Sequence, residues 1–274
     1  MNGMTTSERL MKSHMIRVGQ QDICAAVKPG RKDRPPLLLF NGIGANLELA
    51  NPFMRAMTDV EVAIFDIPGV GGSPLPHLPY RPSTISHWAA GLVKQLGYDK
   101  IDVAGVSWGG VIAQQFAHQF PAVCRKLILA ATTPGAIMVP GRVSVLLKMA
   151  TPRRYVDKQY MRKIASDIYG GVFRDDPDLI WAHANSMNSS SDLGYLYQLL
   201  AVAGWTSLPW LHTLKQPTLV LMGNDDPIVP PINGQVLARL IRGARLQTME
   251  CGHLFFVTRP QETALHVQRF LAEE

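Results

Sequence analysis

The stretch Ile101-Asp102-Val103-Ala104-Gly105-Val106-Ser107-Trp108-Gly109-Gly110 decides the fold of this chain. It reads as a strand, a sharp turn that holds Ser107 between glycines, and a helical run that continues to His118. A glycine-flanked serine is by itself more often part of an ordinary turn. The strand before it and the helix after it favour a strained turn that presents the Ser107 hydroxyl at the end of a strand. The stretch therefore predicts a nucleophile.

Apolar runs that read as strands alternate with amphipathic helical runs on both sides of this turn. The alternation is typical of a mostly parallel central sheet flanked by helices, so the sequence predicts an α/β fold. A last helix is expected from Pro260 onward. The strand-like runs are residues 37–40, 62–65, 101–104, 127–129, 218–222 and 245–249.

The alternation of strand-like and helical runs stops between residues 134 and 209. This part of the sequence has longer segments with helical spacing and no convincing strand. We interpret these residues as a helical cap inserted after the run 127–129, which we number as the sixth strand. The predicted domains are a core of residues 1–133 and 210–274 and a cap of residues 134–209. A chain of 274 residues that is 47% hydrophobic is long enough for this arrangement.

Composition and charge exclude several classes of protein. The 27 lysines and arginines exceed the 21 acidic residues only mildly and are scattered, so no nucleic-acid partner is predicted. Three cysteines without paired spacing indicate neither a disulfide framework nor a zinc site. No apolar stretch reaches the about 18 residues of a membrane-spanning helix, and residues 1–17 lack the pattern of a secretion signal. A cytoplasmic protein is expected.

A serine hydroxyl needs a base to remove its proton and a carboxylate to fix the tautomer of that base. His253 follows the strand-like run 245–249 and precedes the last helix, which is the position that the base requires. Asp225 and Asp226 follow the run 218–222, and two adjacent carboxylates cannot both face one histidine. The histidines that lack the position of a base are His14, His77, His87, His118, His183, His212 and His266.

The developing oxyanion needs hydrogen-bond donors, and the backbone N–H groups of Ile43 and Trp108 are the candidates. Ile43 lies in the glycine-containing loop Asn41-Gly42-Ile43-Gly44. Asn41 either braces this loop or satisfies turn backbone, and we favour the second role. Asp66 opens a second glycine-rich loop, which lacks the spacing of a dinucleotide-binding motif, so Asp66 is expected to be a structural residue.

These motifs, with Gly223-Asn224-Asp225-Asp226-Pro227 and Cys251-Gly252-His253, resemble those of α/β hydrolases. Nearly the whole chain resembles the intracellular depolymerases of medium-chain-length polyhydroxyalkanoates. The resemblance implies a Ser107, His253 and Asp226 triad, because the family's Gly-x-x-Asp pattern places the acid at Asp226. It also implies hydrolysis of poly(3-hydroxyalkanoate) in cytoplasmic granules, contact with the granule surface, and no cofactor or metal.

Three other functions stay open on the sequence. A carboxylesterase or lipase of small acyl esters uses the same triad but leaves insoluble polyester intact. A carbon–carbon bond hydrolase uses the same scaffold and acts on a dienoate instead of an ester. A noncatalytic ligand-binding protein of the same fold is disfavoured, because the complete set of Ser107, His253 and Asp226 is present.

The predicted cap carries apolar and aromatic residues that are candidates for a substrate pocket, although each of them is more often simply core. They are Leu146, Leu147, Met149, Tyr155, Tyr160, Met161, Trp181, Tyr195, Tyr197 and Trp205. The cap also carries basic residues, which we interpret as a solvated helix face, with granule attachment as the alternative. They are Arg153, Arg154, Lys158, Arg162 and Lys163.

Overall fold

A computed structural model describes residues 12–186 and 191–273. The strands are β1 (His14–Val18), β2 (Gln21–Lys28), β3 (Leu37–Phe40), β4 (Val62–Phe65), β5 (Ile101–Val106), β6 (Cys124–Ala130), β7 (Thr218–Gly223) and β8 (Arg245–Met249). They form one eight-stranded sheet in the order β1-β2-β4-β3-β5-β6-β7-β8. The strands from β3 to β8 are parallel, whereas β2 pairs antiparallel with both β1 and β4. The predicted α/β fold with a mostly parallel sheet is confirmed.

Helices connect the strands and cover the sheet. They are α1 (Asn51–Ala56), α2 (Pro82–Gln95), α3 (Trp108–Gln119), α4 (Val143–Met149), α5 (Arg153–Val156), α6 (Lys158–Tyr169), α7 (Pro177–Ser186), α8 (Asp192–Val202), α9 (Ile232–Leu240), α10 (Phe255–Thr258) and α11 (Pro260–Ala272). Shorter 3-10 helices are Leu47–Ala50, Gly171–Arg174 and Leu211–Thr213.

Residues 131–217, between β6 and β7, contain α4 to α8, and we call this segment the helical insertion. Gly135 and Thr206 form an isolated antiparallel bridge that joins the two ends of the insertion. The insertion follows the sixth strand, as expected. The division of the chain into domains at residues 134 and 209 stays a prediction.

The sheet separates two apolar layers because successive side chains of a strand point to opposite faces. Leu38 and Phe40 of β3 pack with α2 and α3 on one face. Leu37 and Leu39 pack with α1 and α11 on the other face. Both layers hold the parallel strands in place from either side, and the carboxyl ends of these strands therefore form a rigid edge.

The hairpin of β1 and β2 was not predicted from the sequence. Most residues of β1 are exposed, so β1 shows no clear apolar alternation, and Gly19 turns the chain with φ +60°. The prediction about residues 1–17 falls partly outside the described structure, which begins at residue 12. In the two described ranges, no helix is long and apolar enough to cross a membrane.

Candidate active site

The predicted nucleophile Ser107 lies in the turn between β5 and α3. Its backbone has φ 55° and ψ −120°, a conformation that a residue with a side chain adopts only under strain. Two hydrogen bonds hold this turn: the Ser107 N–H donates to the Ala130 carbonyl at 2.8 Å, and the Thr132 hydroxyl donates to the Ser107 carbonyl at 2.7 Å. The surrounding strands therefore impose the conformation of Ser107.

Glycine is required at positions 105 and 109 because the neighbouring backbone leaves no room for a side chain. A Cβ atom at Gly109 would lie 2.2 Å from the Phe40 carbonyl oxygen, and a Cβ atom at Gly105 would lie 2.3 Å from the Gly109 carbonyl oxygen. Neither distance is compatible with a side chain, because each contact is made to backbone. The beginning of α3 can therefore pack directly against β3 and β5, which fixes the position of Ser107.

His253 and Asp226 form a buried pair beside this turn. The distance from His253 Nδ1 to Asp226 Oδ2 is 2.6 Å, and both side chains are almost completely buried. Asp226 Oδ1 accepts hydrogen bonds from the backbone N–H groups of Ile228 and Val229, both at 2.9 Å. A carboxylate at this place favours the tautomer with the proton on Nδ1, which leaves Nε2 as an acceptor.

Asp225 faces away from His253. Its carboxylate accepts hydrogen bonds from the Gly171 N–H at 2.7 Å and from the Arg174 guanidinium, which lies 2.9 Å away at Nη2. The hydrogen bond from Arg174 lowers the pKa of the Asp225 carboxyl. Of the two adjacent acids, the structure thus places Asp226 against His253 and Asp225 against the helical insertion.

The loop that carries His253 also contacts the insertion. The His253 N–H donates to the Tyr169 carbonyl at 2.8 Å. A Cβ atom at Gly252 would lie 2.0 Å from that same carbonyl oxygen, so only glycine permits this approach. The backbone at the end of α6 therefore positions the predicted base.

Ser107 lies between two cavities. A narrow cavity of about 60 Å³ is lined by both Ser107 and His253, together with Ile43, Met149, Arg154, Tyr155, Tyr169 and His183. A wider, apolar cavity of about 270 Å³ is lined by Ser107 together with Trp108, Val111, Leu146, Leu199, Val202 and Val229. The structure thus brings the predicted nucleophile and base to one cavity, with Asp226 behind the base.

The predicted oxyanion donors Ile43 and Trp108 line the wide cavity together with Ser107, and the helical insertion contacts the backbone or side chain of both regions. The Tyr155 hydroxyl donates to the Ile43 carbonyl at 2.5 Å. The side-chain oxygen of Gln198 accepts from the Gly44 N–H at 2.8 Å, and its backbone carbonyl accepts from the Trp108 indole at 3.0 Å. Sequence reasoning did not identify Gln198, because nothing in the sequence around α8 indicates a contact with residue 44.

Asn41 holds the backbone of its own loop. Its side-chain amide donates to the Asn46 carbonyl at 2.8 Å, and its side-chain oxygen accepts from the Gly42 N–H at 3.2 Å. Both partners belong to the turn itself. This geometry agrees with the backbone-satisfying role that the sequence favoured.

Asp66 connects the two glycine-containing loops. Its carboxylate accepts hydrogen bonds from the Leu47 N–H at 2.7 Å and from the Gly72 N–H at 2.8 Å. Burial raises the pKa of Asp66 to about 6, while these two hydrogen bonds oppose the change. The expected structural role of Asp66 agrees with these contacts.

The raised pKa of Asp66 predicts a pH dependence of stability. A carboxyl whose pKa is higher in the folded state stabilises the fold below the unfolded pKa, and this contribution is lost as the pH rises through about 6. Asp66→Asn removes the titration. The compared quantity is the free energy of unfolding of wild type minus that of Asp66→Asn. We expect this difference to be larger at about pH 4.5 than at about pH 7.5, by roughly 2 kcal/mol. Urea denaturation at both pH values measures this difference, and an equal difference at both would contradict it.

The interpretation of Arg154 as part of a solvated basic face is wrong. Only 2% of Arg154 is exposed, and its side chain lines the narrow cavity. His183 is buried in the same wall, where burial, and then the charge of Arg154, lower its pKa to about 4. Neither residue belongs to a motif, so no pattern in the sequence indicated their positions.

Several expected pocket residues lie elsewhere. Leu146, Met149, Tyr155 and Tyr195 line a cavity, in agreement with the sequence. Leu147 and Trp181 are exposed instead, and Met161 is completely buried in the core. The difference arises because helix orientation, which packing determines, decides which side of α4 and α7 faces the cavities.

Comparison with known proteins places the chain in a family. The family model of the alpha/beta hydrolase fold matches residues 35–260. A poly(3-hydroxyalkanoate) depolymerase of Ectopseudomonas oleovorans is 50% identical over 260 residues, which are 94% of this chain and 92% of that protein.

Solved structures agree on the fold. A hydrolase from Pseudomonas aeruginosa PA01 superposes with a TM-score of 0.81 at 22% identity, covering 96% of this chain and 99% of the other. The enol-lactonase from Burkholderia xenovorans LB400 also has a TM-score of 0.81, at 20% identity, covering 95% of this chain and 100% of the other. The chain therefore belongs to the α/β-hydrolase family, resembles its poly(3-hydroxyalkanoate) depolymerases throughout, and is an ester hydrolase.

Proposed function

We propose that this enzyme hydrolyses the ester bonds of medium-chain-length poly(3-hydroxyalkanoate). The observation that carries the proposal is the wide apolar cavity against Ser107, in a chain that is 50% identical to a poly(3-hydroxyalkanoate) depolymerase. In this proposal, residues 134–209 act as a cap that supplies the outer wall of the cavity. The cytoplasmic location stays a prediction from the sequence.

The proposed chemistry uses a triad. Ser107 attacks the ester carbonyl while His253 Nε2 accepts its proton, and Asp226 holds the imidazole and stabilises its charge. The backbone N–H groups of Trp108 and Ile43 stabilise the oxyanion. His253 then protonates the leaving alcohol, and water hydrolyses the acyl-enzyme with His253 as the base.

The wide cavity suits an alkyl side chain of the substrate. Its lining is almost entirely apolar, with Val111, Leu146, Leu199 and Val229 among its walls. Burial of each additional methylene group contributes about 0.8 kcal/mol, which corresponds to roughly a fourfold gain in binding. A substrate with a methyl side chain leaves most of the cavity unfilled. The cavity therefore favours polyesters with medium-length side chains.

Release of 3-hydroxy acids from two polyesters tests this function. We expect release from poly(3-hydroxyoctanoate) and much less release from poly(3-hydroxybutyrate), with Ser107→Ala inactive on both. Cleavage of soluble p-nitrophenyl esters without release from either polyester would assign the enzyme to the carboxylesterases. Cleavage of a dienoate carbon–carbon bond, without ester hydrolysis, would assign the enzyme to the carbon–carbon bond hydrolases that share this fold.

An exposed apolar stripe on the helical insertion is the proposed contact with the polyester granule. Leu193, Leu196 and Leu200 of α8 are each 45–46% exposed and recur at helical spacing on one face. The same helix lines the wide cavity through Leu199. Apolar side chains beside the cavity would place the granule surface next to the substrate entrance.

Leu196→Asp is expected to lower hydrolysis of insoluble polyester by about tenfold relative to hydrolysis of a soluble ester, because a charge within the contact must be desolvated. Leu265→Asp provides the matched control, since Leu265 has a similar exposure of 47% but lies on α11, outside the helical insertion. The rate ratio of polyester to p-nitrophenyl octanoate is measured for both variants. Equal ratios in the two variants would contradict a contact through α8.

A further inference from the structure

The guanidinium of Arg154 is a buried charge that contacts no carboxylate among the described residues. Its side chain packs on the rings of Tyr155 and Tyr195, with its central carbon 4.8 Å and 5.4 Å from their centroids. Nη1 contacts the Met149 sulfur, a weak acceptor, and Nε has no hydrogen-bond partner in the described part of the chain. None of the ion pairs within residues 12–186 and 191–273 includes Arg154.

The surrounding tyrosines offset only part of the cost of this burial. The Tyr155 hydroxyl donates to the Ile43 carbonyl, and the Tyr195 hydroxyl donates to the Met149 carbonyl at 2.6 Å. Both hydroxyls are used as donors to backbone, and the ring faces attract the cation without cancelling its charge. A buried charge that is not cancelled is unfavourable unless a partner of opposite sign arrives. The cavity is therefore prepared for an anion.

The chemistry of the proposed reaction identifies where that anion belongs. The leaving alcohol must lie beside His253, which gives it a proton, and His253 lines the narrow cavity together with Arg154. His253 does not line the wide cavity. The alcohol side of the ester therefore enters the narrow cavity, and the acyl side chain enters the wide one.

We propose that Arg154 binds the free carboxylate of the terminal 3-hydroxyalkanoate unit, so that the enzyme removes units from the carboxyl end of the polyester. This inference rests on the proposed function. In a terminal 3-hydroxyalkanoate unit, the carboxylate carbon is two bonds from the carbon atom whose oxygen forms the ester bond. A guanidinium binds a carboxylate through two parallel hydrogen bonds, which also orients the unit. Arg154 is thus a specificity-determining residue.

The reaction balances with water as its only co-reactant, since the hydroxyl of the water goes to the acyl carbon and its proton returns through His253 to Ser107. Ser107 Oγ forms a bond to the ester carbonyl carbon, and the bond from that carbon to the oxygen of the terminal unit breaks. The proton taken from Ser107 passes through His253 to this oxygen, which becomes the hydroxyl of the released 3-hydroxyalkanoate. Water then cleaves the acyl-enzyme, and the new chain end carries the carboxylate for the next cycle.

A dimer of 3-hydroxyoctanoate and its methyl ester test the inference, since the methyl ester removes the terminal charge and adds only a methyl group. Cleavage of the internal ester bond, which both dimers share, is measured. Wild type is expected to prefer the free acid by about 10- to 100-fold in kcat/KM, chiefly through KM. Arg154→Met should reduce this preference to about one, and Arg154→Lys should retain part of it. The matched control is Arg153→Met, because Arg153 is the neighbouring arginine and its side chain is 61% exposed. Its preference should equal that of wild type.

Equal rates of wild type on the two dimers would overturn the inference, and so would an equal loss on both dimers in Arg154→Met. If wild type cleaves p-nitrophenyl octanoate but neither dimer, the proposed function fails. The role of Arg154 in binding a carboxylate is then tested separately, by the effect of ligands on the Tm. In the Ser107→Ala protein, 3-hydroxyoctanoate should raise the Tm more than its methyl ester does. Adding Arg154→Met should remove this difference, and a difference that persists would overturn the inference.

Discussion

Ser107→Ala is expected to lower ester hydrolysis by about a millionfold while the protein stays folded. The loss is large because the remaining groups, including the proposed N–H donors of Ile43 and Trp108, have no covalent step to assist. Alanine accepts the same backbone strain that Ser107 bears at φ 55°, so the hydrogen bonds of the turn can remain. The effect therefore reports on chemistry and not on folding.

Initial rates on p-nitrophenyl octanoate and labelling by a fluorophosphonate probe measure this effect. Wild type should be labelled, and Ser107→Ala should not. Matching thermal unfolding curves provide the control for folding. Labelling of Ser107→Ala to the wild-type extent would show that a different residue reacts, and the assignment of the nucleophile would then be wrong.

Asp226→Asn is expected to lower kcat by about 10⁴-fold. The introduced amide would keep its oxygen on the N–H groups of Ile228 and Val229, and its NH2 group would then face His253 Nδ1. An N–H donor at this place forces the histidine proton onto Nε2. The imidazole then has no acceptor to direct at Ser107, so the base is lost although the geometry is preserved.

Asp225→Asn is the matched control, because it makes the same chemical change one residue earlier. Asp225 pairs with Arg174 at a partly exposed site, and such pairs contribute at most about 1 kcal/mol to stability. The variant is expected to retain kcat within about threefold. Rates on p-nitrophenyl octanoate compare the two variants, and a larger loss in Asp225→Asn would mean that the acid has been misassigned.

The turn around Ser107 was predictable because its signals are local. Gly105 and Gly109 are required by contacts within a strand–turn–helix unit, and the alternation of strands and helices then places later loops at the same edge. The choice between Asp225 and Asp226 is different. Arg174 and Gly171, which hold Asp225, belong to the insertion, more than 50 positions away in sequence. No local pattern carries that information.

The position of Arg154 likewise depends on contacts that no local sequence pattern indicates. Arg153 and Arg154 are adjacent and chemically identical, yet Arg153 contacts Asp157 at the surface while Arg154 is buried beside Tyr195. Only the rotation of the short helix α5 separates them, and long-range packing sets that rotation. The hairpin of β1 and β2 was missed for a related reason, since exposed residues in β1 leave it without a periodic pattern.

The helical insertion carries two unequal evolutionary constraints. At the end of α6, the Tyr169 carbonyl accepts the N–H of His253 and the Gly171 N–H donates to Asp225, so a change in this part also changes the support of the loops after β7 and β8. Leu146 of α4 and Leu199 of α8 line the wide cavity with apolar side chains. Descendants of this enzyme can therefore exchange those apolar residues and acquire new substrates, whereas replacement of the whole insertion would also remove the support of the histidine loop.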